Sequence, residues 1–346
     1  MSGGGGRCRH VDQTSKSYGM GRAMRAVSML LIGVIASFSS AEPALANALT
    51  ASTILQDFNV VIFNNATTQA DIEGAAVIGG NFSGATVFNN PNDSQNTSQP
   101  SGFGALTVFG NTNGNSINID NGGNAYVAGS QGANISFNGG GYIAAPSATI
   151  SSFSLPLIAL SQSLSLLAAT GTLPPAGNNE QITAVPGPDG IAVFNLTAAQ
   201  LAAIPSFTIN LGGASTVVFN VEGSSASFSA NDESGTAGAN NIIWNFYDAT
   251  GTVAFNTQIG GTVLAVGATV TNNNQIDGDL VAENWTGQGE AHSWPFNGNL
   301  PSPPTPPPTP TPEPASLVLF GSAIGLMGLL GVRRHGQMGG RRLLAA

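Results

Sequence analysis

Between Asn47 and Val332 the chain has neither lysine nor arginine. All nine basic residues lie at or before Arg25 or at or after Arg333, and His292 is the one basic side chain in between. A surface without cations cannot neutralise phosphates, which excludes nucleic-acid binding by this body. It also excludes ordinary intramolecular salt bridges. The charges that remain are acids, among them Asp57, Asp71, Glu73, Asp277, Asp279, Glu283 and Glu290, and the formal net charge of the chain is -9. Solubility therefore rests on Asn, Ser, Thr and negative charge. Cysteine is almost absent. Cys8 stands alone ahead of the body, so an exported domain would have neither disulfides nor thiol chemistry. Long apolar runs occur only near the two ends.

Those ends read as export and sorting signals. Met24-Arg25, the apolar core Ala26 to Phe38 and the small-x-small site Ala44-Leu45-Ala46 have the layout of a secretory signal peptide over residues 24–48. Residues 1–23 do not fit it and are read as a mis-assigned start or an extended n-region, with Met20 or Met24 as the true start. At the other end a proline-rich linker, 301–311, leads to Pro312-Glu313-Pro314. The uncharged run Ala315 to Val332 follows, then Arg333-Arg334-His335 and a short cytoplasmic tail, 336–346. The run 315–332 is about the shortest that spans a bilayer, and the arginines suit its cytoplasmic flank.

This order resembles the PEP-CTERM sorting signal of exported proteins in exopolysaccharide-producing Gram-negative bacteria. The resemblance implies recognition near Pro312-Glu313-Pro314 by an exosortase, a membrane-embedded cysteine-dependent enzyme, and removal of the helix. The chain would be its substrate, with membrane contact only before processing. A permanent single-span anchor is the alternative, and Gly321, Gly325, Gly328 and Gly331 offer a dimerising face.

The body, 49–300, is long enough for one large domain. Short apolar alternations recur, each followed by Gly or Asn: Phe58–Phe63, Ala75–Gly80, Ala85–Phe88, Leu106–Gly110, Ile117–Ile119, Tyr126–Ala128, Ile135–Phe137 and Tyr142–Ala144. They return at Phe207–Leu211, Thr216–Val221, Ala226–Phe228, Ile242–Tyr247, Gly261–Ala265 and Gln275–Ala282. Short strands with Gly and Asn at the corners suit the coils of a β-solenoid, right-handed and β-helix-like. A β-sandwich is the alternative. Leu155 to Ala169 has helical spacing and is expected to cover an apolar face of the sheet. Thr170–Gly190 reads as a loop. Thr197 to Gln200 reads as a capping box opening a short helix that Pro205 ends. Trp285, Trp294 and Phe296 are expected to cap the end of the coil stack.

Several stretches together resemble the choice-of-anchor A domain. They are Phe58–Phe63 with Asp71-Ile-Glu-Gly74 and Val77–Asn81; Val217–Gly223; and Ile243–Ala249 with Gly261–Ala265, Ile276-Asp-Gly278 and Gly289–His292. The resemblance implies an adhesive or matrix-associated extracellular domain, a β-solenoid with a packed helix, and no established catalytic residues.

Candidate chemistry is sparse. Asp277, Asp279 and Glu283 form a carboxylate group on one expected rung, with Asp277 and Asp279 on one face, and oxygen-rich spacing of this kind can hold calcium. Asn92-Asp93 begins a second oxygen-rich loop. Glu290 and His292 could be an acid/base pair or half of a metal site, against a structural hydrogen bond. Asp71 and Glu73 could be paired carboxylates of a glycosidase. Trp244, Tyr247, Trp285 and Trp294 could stack on sugars, or fill the core. The leading reading is a non-enzymatic, exported cell-surface or matrix adhesin associated with exopolysaccharide. A purely structural matrix component and a polysaccharide-modifying enzyme are the alternatives. Ice binding would call for regular Thr-x-Thr rows, which the sequence lacks.

Overall fold

The computed structural model describes residues 49–89, 99–114 and 116–301. The signal peptide, most of the proline-rich linker, Pro312-Glu313-Pro314, the apolar run 315–332 and the Asn92-Asp93 loop lie outside the described residues. The fold is mainly β, with three α-helices among the described residues: α1 (Ala51–Asp57), α2 (Ile150–Ser165) and α3 (Ala198–Ala202).

Every strand pair among the described residues is parallel. That differs from the antiparallel sheets of the sandwich alternative. The largest sheet orders its strands as Ile191–Thr197, Thr216–Glu222, Ile242–Asn245, Thr262–Asn272, Leu280–Gly287, Val60–Ile62, Ala76–Ile78, Leu106–Val108 and Ala125–Val127. The last long strand of the chain thus pairs with the first, Val60 opposite Leu280. From its first described strand, Val60–Ile62, in the middle of the ladder, the chain works to one edge. It crosses to the other edge around α2, then works back to the middle.

Two further strips of parallel rungs accompany this sheet. One contains Ala66–Thr68, Phe82–Ser83, Ala226–Phe228, Thr252–Phe255 and the distal halves of Thr262–Asn272 and Leu280–Gly287. The other contains Thr86–Phe88, Ser116–Asp120, Asn134–Phe137, Ile259–Gly260, Ile276–Asp277 and Ala291–His292, with Ile72 bridging Val87 and Ala291.

The central rungs are buried on both faces, as parallel sheets usually are. Inward, Phe194, Phe219 and Trp244 form a column, with ring centroids 5.2 and 4.2 Å apart and planes within 14° and 13° of parallel. Outward, Val61, Val77, Val193, Val218, Ile243, Leu264 and Val281 meet Phe153, Leu157, Leu160 and Leu164 of α2. The helix therefore covers an apolar face of the sheet, as its spacing implies. It begins before Leu155, because Ser152 Oγ accepts the Thr149 N–H at 3.2 Å and starts the turn ahead of Pro156. Its sixteen residues at ~1.5 Å each cover roughly five rungs at ~4.8 Å, and the segments on either side of the helix complete the crossing from Ala125–Val127 to Ile191–Thr197. The capping box forms as read: Gln200 N–H donates to Thr197 Oγ1 at 3.2 Å, and Thr197 N–H to Gln200 Oε1 at 2.8 Å.

Asparagines stitch neighbouring rungs at two places. The amides of Asn220 and Asn245 donate to Asn195 Oδ1 and Asn220 Oδ1 at 3.0 and 2.8 Å. At an exposed corner, Asn65 Oδ1 accepts from Asn81 N–H, Asn81 Oδ1 from Asn111 N–H, and Asn111 Oδ1 from Ser130 N–H, at 2.9, 3.1 and 2.8 Å.

Two expectations need correction. Trp285 and Phe296 do not cap an end. Their segment lies mid-ladder, where Trp285 is in the core and Phe296 N–H donates to Leu55 O of α1. Within the expected loop 170–190, Glu180–Thr183 forms a rung paired with Ser206–Asn210.

Candidate functional site

Two surfaces stand out by chemistry. The first is the strip without charge. Parallel register places Ser227, Ala254, Thr271, Thr286, Thr67 and Ser83 in one outward row. A parallel row holds Thr252, Thr269 and Asn284, and Asn65 N–H donates to Asn284 Oδ1 at 3.2 Å. Val253, Val270, Trp285 and Ala66 fill the inward positions between them. Period-2 alternation produces this split, and adjacent rungs stand ~4.8 Å apart. Thr67, Ser227, Thr252 and Thr286 are exposed. Of these strands, only Leu280–Gly287 carries an acid, Glu283, and it lies ahead of the rows at the bend of that strand; the others have no Asp, Glu or His. The hydroxyl rows that the sequence does not display are therefore present in space.

The second surface is acidic and holds the one histidine of the body. Parallel pairing sets Asp277 beside His292, and the Ile72–Ala291 bridge brings Glu73 alongside. His292 Nδ1 lies 2.6 Å from Asp277 Oδ1, and Nε2 lies 2.7 Å from Glu290 Oε2 and 3.9 Å from Glu73 Oε1. The hydrogen bond to buried Asp277 is the main reason the imidazole is raised from 6.5 to about 9; desolvation opposes it, and Glu290 and Glu73 add to it. At neutral pH this is an imidazolium among three carboxylates.

A raised folded-state value contributes stability in full below about 6.5, and that stability is lost as pH rises through about 9. Chelator-treated protein should lose melting temperature across this window, and His292→Gln should flatten that limb. An identical alkaline slope in the variant would show that His292 is not its source.

The expected calcium group is not brought together. The chain turns at Gly278 between two rungs, so Asp277 and Asp279 do not share one face of a strand. Asp277 serves His292 and Gln258, whereas Asp279 Oδ2 accepts from Thr262 Oγ1 at 3.0 Å and Phe296 N–H at 3.1 Å. Burial pushes Asp279 well above the usual carboxylate range. Glu283 is half-buried, and its carbonyl accepts the Asn64 N–H. Among the described residues, the group whose ligand atoms come together is Glu73, Glu290 and His292.

Trp244 and Trp285 are each 1% exposed and cannot stack on a sugar. Their Nε1–H groups donate inside the core, to Gly260 O at 3.0 Å and Asn272 Oδ1 at 2.8 Å. Trp294 is half-buried and stays at the surface. Tyr247 lines an open cleft with Asn195, Asn220 and Glu222.

A family model described as “Putative Ice-binding-like adhesive domain” matches residues 51–293. The chain belongs to this ice-binding-like adhesive family. Among curated proteins none matches. Among solved structures, an ice-binding protein from an Antarctic Biological Consortium is 15% identical, covering 72% of this chain and 92% of that one, at TM-score 0.30. One from an Antarctic Flavobacteriaceae bacterium is 14% identical, covering 69% and 82%, at TM-score 0.31. One from the Antarctic ascomycete Antarctomyces psychrotrophicus is 16% identical, covering 71% and 97%, at TM-score 0.21. Membership in the ice-binding-like adhesive family accords with an adhesive domain of an exported protein. No helix among the described residues is long and apolar enough to cross a membrane, and the run 315–332 lies outside them.

Proposed function

We propose that this is a non-enzymatic, exported cell-surface adhesin that winds as a β-solenoid and grips a repetitive hydroxyl-bearing surface with its uncharged strip. The leading ligand is exopolysaccharide. The observation that carries this reading is the alignment of Ser227, Thr271, Thr286, Thr67 and Ser83 in one row with no charged residue in the row itself. Hydroxyl and amide groups on rigid rungs donate and accept with little ordering cost, which favours extended, repeating ligands. Export through residues 24–48, and exosortase sorting at Pro312-Glu313-Pro314 with the helix 315–332 held in the membrane until processing, complete the proposed path to the surface. The choice-of-anchor A resemblance is consistent with this assignment.

Thr67 and Thr286 are direct partners in the row and both are exposed. Thr67→Tyr combined with Thr286→Tyr should reduce co-sedimentation with exopolysaccharide at least ~10-fold, a loss of about 1.4 kcal/mol, while leaving the melting temperature in place. Undiminished binding by the double variant would remove the strip from the adhesive role. Ice is the second reading, favoured by the same hydroxyl rows together with the family description. Incorporation into a growing ice front, lost in the same double variant and without glycan co-sedimentation, would keep the face and replace the ligand.

A further inference from the structure

We propose that Glu73, Glu290 and His292 bind one divalent transition-metal ion, with buried Asp277 as the positioning residue behind the imidazole. This site lies on the acidic strip and is independent of the adhesive reading. The three ligands come from two neighbouring rungs, and their donor atoms all lie within 4.8 Å of one another. Two donors on a tetrahedral zinc, each at ~2.1 Å, stand roughly 3.4 Å apart. The separations of 2.7 and 3.9 Å from His292 Nε2 to Glu290 and Glu73 bracket that value. Only small side-chain movements would close the shell.

The supporting layer is also in place. Asp277 is 1% exposed and accepts from His292 Nδ1–H, while Gln258 Nε2 holds its other oxygen. A ligating histidine with its second nitrogen on a carboxylate is fixed in tautomer and orientation and is made a better donor. Ser293 N–H donates to Glu73 Oε2 at 3.2 Å and steadies the second ligand. Mixed imidazole and carboxylate donors suit Zn²⁺ over Ca²⁺, which takes six to eight oxygens. Glu73 and Glu290 are 38% and 50% exposed, so the ion would be reached from solvent and would keep water in its remaining positions. On binding, the Nε2 proton that bridges His292 to Glu290 leaves to solvent.

The test is titration of the chelator-stripped full chain with ZnCl₂ by calorimetry at about pH 8, with X-ray absorption of the loaded protein. The expected result is one high-affinity zinc per chain with an imidazole in its shell. His292→Gln and Glu290→Gln should each weaken binding at least ~10-fold, and Asp277→Asn should weaken it less while changing the imidazole nitrogen NMR shifts. Glu290 is the most exposed ligand, so Glu290→Gln keeps the test valid if His292→Gln does not fold. Comparison with the variants also separates this site from His10, His335 and Cys8. Absence of stoichiometric binding, equal binding by both variants, or a zinc shell without imidazole would each overturn the proposal.

Discussion

Trp244→Ala should lower unfolding free energy by about 3–5 kcal/mol, the usual cost of emptying a large buried aromatic site. The side chain is 1% exposed. It stacks on Phe219, and Phe207 and Phe228 approach it at centroid distances of 5.9 and 5.8 Å. Truncation would take one ring contact from each of Phe219, Phe207 and Phe228 and leave Gly260 O without the indole donor. Neighbouring rungs are fixed by backbone ladders on both sides, so the site cannot collapse to fill the gap. Trp244→Phe should cost less, because it keeps the stack and loses only the hydrogen bond and part of the volume. Denaturant unfolding measures both. A loss below about 1 kcal/mol for the alanine variant would show that the column contributes little to stability.

Local signals carried much of the fold. Period-2 runs such as Thr216–Val221 and Ile117–Ile119 became rungs close to their expected bounds. Leu157, Leu160 and Leu164 announced the buried stripe of α2 through helical spacing. Its first turn was hidden by the Ser-rich start and Pro156, which reads as a breaker when the Thr149–Ser152 contact is not in view. Strand order was hidden for a different reason. Nothing in the sequence near Leu280 says that its neighbour is Val60, because register between distant segments is set by tertiary packing. The described segment therefore both enters and leaves in the middle of the ladder, so the place of Trp285 late in the sequence does not make it an end cap.

The same limit governs the two surfaces. Loops between rungs differ in length, so Ser227, Thr271, Thr286 and Thr67 recur at no fixed interval although they align in space. Glu290 and His292 were visible as a pair two residues apart. Glu73 and Asp277 join them only through the Ile72–Ala291 and Asp277–His292 pairings. One sequence signal was available: Asp71-Ile72-Glu73 and Glu290-Ala291-His292 share an outward-inward-outward alternation, as expected of adjacent rungs facing one way. Asp277 and Asp279 part company because Gly278 is a corner between two rungs, which the run Gln275–Ala282 does not reveal.

Asn245→Leu should cost at least about 3 kcal/mol and loosen α2 while leaving the uncharged strip in place. Asn245 is fully buried and joins the sheet to the helix. Its Oδ1 accepts from Ser161 Oγ–H at 2.7 Å, and its Nδ2 donates to Ser161 O at 3.0 Å and Asn220 Oδ1 at 2.8 Å. Leucine has similar bulk but would strand an acceptor on Asn220 and polar groups on Ser161, each at about 1–3 kcal/mol when buried without a partner. Asn220 Nδ2 also donates to Leu164 O at 2.8 Å, so the strain falls on the C-terminal half of α2. Hydrogen exchange should therefore quicken first in Leu160–Ser165. Unchanged protection there, with a stability loss below 1 kcal/mol, would mean that apolar packing of Phe153, Leu157, Leu160 and Leu164 holds the helix alone. Binding provides the functional contrast. The helix covers a different sheet region from the hydroxyl rows, so a loosened α2 with full ligand retention would show that the rungs keep the adhesive strip flat without help from the helix.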